Sequence, residues 1–75
     1  MNADLKLDCR GLSCPMPIIK LSKAIREINP GQVIEMISTD PGSKSDVPAW
    51  CAKTGNEFLS IAENAGENKF YIKKK

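Results

Sequence analysis

Three cysteines and no histidine set the chemistry open to this chain of 75 residues. Without an imidazole there is no Ser-His-Asp triad, no Cys-His nucleophile pair and no His-containing zinc site. Reactivity falls to thiols, carboxylates or lysines. The informative stretch is Cys14-Pro15-Met16-Pro17. Proline is favoured at the first position of a helix, so Pro15 there makes Cys14 the N-cap. The positive end of a helix dipole stabilises a thiolate, and a modest lowering of the thiol pKa is expected. Neither proline has an N–H, which leaves the amides of Met16 and Ile18 as the early donors to the sulfur. In a Cys-x-x-Cys redox motif the second thiol would occupy position 17, where this chain has Pro17. A sulfur placed on Cys14 has no neighbour in the motif to expel it, which suits holding and handing on a group. The alternative, a buried structural cysteine, fits poorly at a loop-to-helix junction between prolines.

Cys9 and Cys51 read as core thiols. Cys9 shares a strand face with Leu5 and Leu7, and Cys51 shares a helix face with Val47 and Trp50. A resolving role for Cys9 stays open, since it is five residues from Cys14. Neither spacing matches a usual zinc or iron–sulfur pattern, so no metal is expected. An odd number of cysteines cannot close a disulfide framework.

The elements that must position Cys14 follow from periodicity. Leu5-Lys6-Leu7-Asp8-Cys9 alternates as a half-buried strand. Arg10-Gly11-Leu12-Ser13 is a short loop. Ile18, Leu21, Ile25 and Ile28 form the apolar stripe of a helix closed by Asn29-Pro30-Gly31. Gln32 to Thr39 reads as a second strand, giving a right-handed parallel βαβ unit. After the Asp40-Pro41-Gly42 turn, Val47, Trp50, Cys51 and Thr54 mark a second helix ending near Gly55. Pro48 is comfortable only in its first turn, and a start at Ser43 implies a kink. Glu57 to Ala62 and Lys69 to Lys73 are two more strands around a turn at Glu63-Asn64-Ala65-Gly66, with Phe70 and Ile72 facing inward. The order βαβαββ predicts an α/β (α+β) two-layer sandwich, a four-stranded mixed sheet with both helices on one face. Residues 1–75 form a single domain, and Lys73-Lys74-Lys75 is expected to fray.

On the first helix, Met16 and Ile19 fall off the core stripe as i, i+3 neighbours, bordered by Lys20, Lys23 and Arg26. An apolar pair rimmed by cations beside a reactive thiol can be a docking surface for a protein. Scattered apolar residues and solvating lysines are also common on ordinary surfaces, and both readings stay open. Asp40 and Asp46 are natural helix-capping groups. Asp40 lies at the same end of the sheet as Cys14, within reach of a visiting partner.

The run Leu7-Asp8-Cys9-Arg10-Gly11-Leu12-Ser13-Cys14-Pro15-Met16-Pro17 resembles the signature of the TusA-like (SirA-like) sulfur carriers. Asn29-Pro30-Gly31, Thr39-Asp40-Pro41, Asp46-Val47-Pro48 and Gly55-Asn56-Glu57 extend the resemblance over essentially the whole chain. It implies a persulfide on Cys14, supported by a turn of Arg10, Gly11, Pro15 and Pro17. Met16, Ile19, Lys20, Lys23 and Asp40 are the expected docking residues. The implied partners are a cysteine desulfurase or rhodanese-like donor and an acceptor protein with its own cysteine. Sulfur oxidation, tRNA thiolation and cofactor sulfuration are all destinations of such carriers. Some members carry Glu where this chain has Met16, so the resemblance does not select tRNA thiolation. Arg10 or Lys20 would help the helix dipole stabilise the persulfide anion. No cofactor beyond the covalent persulfide is expected, and the protein would act as a stoichiometric relay rather than a free-standing enzyme.

Two other function classes compete. One is a thiol–disulfide redox module pairing Cys14 with Cys9. The other is a regulatory adaptor or RNA-binding domain, since sheets of this topology resemble the RNA-contacting C-terminal domain of a bacterial translation initiation factor. Direct nucleic-acid binding is not expected: the net charge is +2 and Tyr71 is the only aromatic predicted on an open strand face. No segment approaches the ~18 apolar residues of a membrane span. The start, Met1 to Lys6, has no basic region leading into an apolar run. Free thiols then point to a reducing cytoplasm, and a monomer is expected.

Overall fold

The computed structural model describes residues 2–75. Its elements are β1 (Leu5–Cys9), α1 (Met16–Ile25), β2 (Val33–Ser38), α2 (Ser43–Thr54), β3 (Glu57–Asn64) and β4 (Glu67–Lys73). They form one four-stranded mixed sheet in the order β1-β2-β4-β3. β1 and β2 are parallel, and β4 runs antiparallel to both its neighbours. The expected βαβαββ sandwich is the fold observed.

Period-2 alternation fixes which face is packed. Leu7 pairs with Met36 and Met36 with Phe70, while Leu5, Ile34 and Ile72 form the adjacent row. These residues meet Leu21, Ala24 and Ile25 of α1 and Val47 and Cys51 of α2 in one buried cluster. Both helices therefore lie on the same face of the sheet. The helices are also tied to each other, because the Trp50 indole N–H donates to Ser22 Oγ at 3.0 Å.

The structure corrects four boundaries. Helix α1 begins at Met16 with Pro15 at the N-cap, so Cys14 lies one residue before the cap. It ends at Ile25, where Arg26 N–H turns back to the Lys23 carbonyl and Glu27 N–H to that of Ala24, yet Ile28 remains buried in the turn that follows. Helix α2 starts at Ser43 and keeps Pro48 inside it. The proline forfeits only the bond to the Lys44 carbonyl, and Lys44 is exposed to water. The β3–β4 connection is tighter than expected. Ala65 and Gly66 both have positive φ, 51° and 83°, and make a two-residue hairpin turn that lengthens both strands.

The basic C-terminal run is pinned rather than frayed. Lys74 N–H donates to the Gln32 carbonyl at 2.8 Å, and Gly31 N–H donates to the Lys74 carbonyl at 2.9 Å. Lys74 Nζ reaches the Ile28 carbonyl at 2.7 Å, and Lys75 N–H donates to Asn56 Oδ1 at 3.0 Å. These bonds prolong the β2–β4 ladder and satisfy a carbonyl left open by the end of α1.

Candidate functional site: the Cys14 loop

Parallel pairing of β1 and β2 brings their C-terminal ends side by side, and the loops leaving them form one surface. The first loop carries Cys14 and the second carries Asp40. Gly11, at φ 78°, turns the chain out of β1 and donates its N–H to Thr39 Oγ1 at 2.9 Å. Cys14 N–H donates to Asp40 Oδ2 at 3.0 Å, and the Cys14–Pro15 peptide is cis. Asp40 is itself held from below. Its N–H donates to Ser38 Oγ at 3.2 Å, and Ser38 Oγ shares a buried 2.8 Å bond with Ser43 Oγ. Its second oxygen, Oδ1, accepts the Gly42 N–H at 3.2 Å. The Cys14 backbone is thus anchored through a carboxylate to the start of α2. Pro17, fully buried, anchors the other side of the loop in the core.

The three thiols are free and separate sharply by exposure. Cys14 is exposed, whereas Cys9 and Cys51 are buried. Burial pushes the Cys51 thiol up to about 11 and also raises Cys9. Cys14 is raised as well, against the expected lowering, and the cause differs. The nearby Asp46 carboxylate disfavours the thiolate most, partial desolvation adds to this, and the negative charges of Asp46 and Asp40 oppose ionisation. One of the two expected amide donors does not serve it: Met16 N–H goes to the Ser13 carbonyl at 2.9 Å. With Cys14 outside the cap, the helix N-terminus does not dominate its electrostatics.

The cations expected at the thiol are engaged elsewhere. Arg10 grips Asp8 through two side-chain bonds of 3.0 and 2.9 Å and approaches Glu67 at 3.8 Å. Lys20 Nζ lies 3.4 Å from the Asp8 carbonyl. The Arg10 guanidinium lowers the Asp8 carboxyl to about 2. Its stabilising effect is therefore present above ordinary carboxylate pKa values and lost as pH falls through about 2. An NMR titration should place the Asp8 midpoint near 2 and, in Arg10→Gln, return it toward the ordinary ~3.9. An unmoved midpoint in that variant would remove Arg10 as the cause.

Met16 and Ile19 are 44% and 41% exposed on α1, close in sequence to Cys14. Lys20 and Lys23 are exposed along the same helix and, with Leu5, Leu7, Ala24 and Glu27, line a groove beside the edge strand β1. The reverse face of the sheet is different. Lys6, Lys69 and Lys73 there stand among Asp8, Glu35, Glu57 and Glu67, so these side chains show no positive excess. Glu35 sits at its centre, 7% exposed, with Lys69 Nζ 4.0 Å away. Such a face lacks the positive stripe of a nucleic-acid surface. Among the described residues, no helix is long and apolar enough to cross a membrane.

Asp46 is the residue whose influence on the thiol the sequence does not announce. Its signal was a carboxylate in the first turn of α2, which reads as a capping group. Asp46 does lie in the first turn of α2, and its carboxylate also raises the Cys14 thiol.

A family model described as "Sulfurtransferase TusA" matches residues 5–74. The chain belongs to the TusA family. It is 40% identical over 74 residues to the putative sulfur carrier protein YrkI of Bacillus subtilis, covering 99% of both chains. To the sulfur carrier protein TusA of Allochromatium vinosum it is 44% identical over 71 residues, covering 95% of this chain and 93% of the relative. The fold is shared with a SirA-like protein of Desulfitobacterium hafniense, with a TM-score of 0.81 at 21% identity over 92% of this chain and 95% of that one. The TusA-like and SirA-like resemblance read from the Cys14 motif is therefore upheld at the level of family and fold.

Proposed function

We propose that the protein is a sulfur carrier that holds sulfane sulfur as a persulfide on Cys14. The observation that carries this reading is the exposure of one thiol out of three, on a loop fixed to both parallel strands. The names of the full-length relatives support the same role. In the loading step the Cys14 thiolate attacks the outer sulfur of a donor persulfide, R–S–SH. The donor S–S bond breaks, a new S–S bond forms, and the products are Cys14–S–SH and R–S⁻. Sulfane sulfur changes hands without net oxidation. An acceptor cysteine repeats the exchange in the other direction, which regenerates the Cys14 thiol.

Met16 and Ile19, rimmed by Lys20 and Lys23, would meet the donor or acceptor, and Asp40 would lie at the margin of that contact. A disulfide relay between Cys14 and Cys9 finds no support in the geometry, because Cys9 is fully buried beneath the sheet's packed face. The test is intact-protein mass spectrometry after incubation with a cysteine desulfurase and cysteine, or with a rhodanese and thiosulfate. The expected result is the gain of one sulfur atom that a reductant removes. No gain with either donor system would sink the reading.

A further inference from the structure

β4 turns Phe70 and Ile72 into the core, and the next residue on that face is Asn68. Asn68 is only 6% exposed, an amide where the alternation of the strand calls for an apolar side chain. Ser38 of β2 and Glu63 of β3 lie opposite it on either side. Neither serves it. Ser38 Oγ is engaged with Ser43 Oγ and the Asp40 N–H, and Glu63 Oε1 takes the Lys44 ammonium at 2.8 Å. Among the described residues, no hydrogen bond reaches the Asn68 side chain. A buried amide in that state gives up water without a replacement, which calls for a reason.

The reason lies in the space above it. Asn68 lines a cleft of about 380 Å³ between the start of α2 and the β3–β4 hairpin, walled also by Thr39, Pro41, Lys44, Glu63 and Glu67. No fully buried side-chain nitrogen or oxygen of the described residues lacks a partner, so the free Asn68 amide opens into this cleft. Thr39 and Pro41 belong to the β2–α2 connection that holds the Cys14 loop. The cleft thus borders the mount of the thiol without containing the thiol.

The charges on the wall narrow the ligand. Lys44 and Glu63 are 47% and 59% exposed, so their bond adds little to the fold. A lone anion would meet Glu63 and Glu67. A lone cation would have to compete with Lys44 for Glu63 and with Arg10, 3.8 Å away, for Glu67. Among the described residues, no three His, Cys, Asp or Glu side chains are grouped to hold a metal ion. A zwitterion avoids both conflicts. Laid antiparallel to the Lys44–Glu63 pair, its carboxylate meets the ammonium and its own ammonium meets the second Glu63 oxygen, so each charge gains a partner without losing the first. The Asn68 amide both donates and accepts, and can serve either end. We propose that this cleft binds a free α-amino acid, held by its zwitterionic head between Lys44, Glu63 and the unpartnered amide of Asn68. A cleft of this volume also has room for the amino acid's side chain.

The test is an NMR titration of the isotope-labelled whole chain with each of the common L-amino acids. At least one should shift the Asn68 side-chain amide and the backbone amides of the β3–β4 hairpin in a saturable way. Its N-acetyl and carboxamide derivatives, each missing one charge, should bind about tenfold more weakly or worse. The double substitution Lys44→Gln with Glu63→Gln should cost a similar factor and leave the thermal midpoint nearly unchanged, because the pair is exposed. Asn68→Leu keeps the side chain's size and breaks no hydrogen bond, so its midpoint should hold or rise while binding weakens. The charge-pair variant decides the question if Asn68→Leu does not fold. No saturable shift at Asn68 with any amino acid would overturn the site. Equal binding of the blocked derivatives would overturn the zwitterion, and a lower midpoint with unchanged binding in Asn68→Leu would make the amide merely structural. Sulfur transfer plays no part in this readout, so a failed carrier reading leaves it intact.

Discussion

Cys14→Ser should gain no sulfur from any donor, while Cys9→Ala and Cys51→Ala load as the wild type does. The expectation follows from access and not from cysteine content. Cys14 is exposed, so a hydroxyl in place of its thiol displaces no packing and should change stability by no more than about 0.5 kcal/mol. A hydroxyl is too weak a nucleophile to open a persulfide without a base, and this chain has no histidine to supply one. The loss of loading should therefore be complete in a fully folded protein. Cys9 and Cys51 lie in the core at 0% and 2% exposure, out of a partner's reach. Their removal leaves small voids that cost about 1–2 kcal/mol, visible as a lower thermal midpoint and not as lost sulfur. Intact mass after donor incubation, beside a melting curve for each variant, separates these outcomes. Abolished loading in a folded Cys9→Ala protein would make the two-cysteine redox reading the better one.

The contrast between the thiols also shows what a local motif reveals. That Cys14 would be exposed was legible, because prolines at 15 and 17 and a loop-to-helix junction are properties of neighbouring residues. So was the strand and helix order, since Leu5-Leu7-Cys9 and Ile18-Leu21-Ile25 each repeat with the period of their element. The electrostatics of the sulfur were not legible. They depend on Asp46, 32 positions further on, brought to Cys14 only by the parallel pairing of β1 and β2. Sequence spacing suggested Arg10 as the neighbouring cation, but Asp8 is two residues away and captures it first. A one-residue change in the start of α1 had a similar consequence. It moved Cys14 out of the cap position and removed the helix dipole as the leading influence. The tail was misread for the opposite reason: three lysines look solvated, yet Lys74 is placed by backbone bonds that no side-chain pattern reports.

These features give the site a consistent logic. A relay that meets more than one partner must expose its sulfur, and an exposed thiolate is open to oxidation. A carboxylate near the thiol favours its un-ionised form. Asp40, resting on Ser38 with Ser43 beneath it, fixes the loop that presents the thiol.

Phe70→Ala should unfold a large part of the protein at 37 °C and, with it, abolish sulfur loading. Phe70 is the largest of the fully buried side chains, at 0% exposure, and lies opposite Met36 in the register that joins β4 to β2. Phe58 packs against it with ring centroids 6.4 Å apart. Truncation removes the buried ring and its tilted contact with Phe58, at about 3–5 kcal/mol. A domain of this size has only about 4–11 kcal/mol of stability at ~0.05–0.15 kcal/mol per residue. At roughly 4–8 °C per kcal/mol, the thermal midpoint should fall by at least about 12 °C. The functional consequence runs through β2, whose C-terminal end carries Thr39 and Asp40, the two acceptors that hold the Cys14 loop. Loading at 15 °C, where the variant is still largely folded, should recover toward the wild-type level, because no atom of Phe70 belongs to the thiol's surroundings. A fall in midpoint of only a few degrees would contradict the central place of Phe70 in the core. Full loss of loading in a folded Phe70→Ala protein at low temperature would show that the sheet does more for Cys14 than hold up its loop.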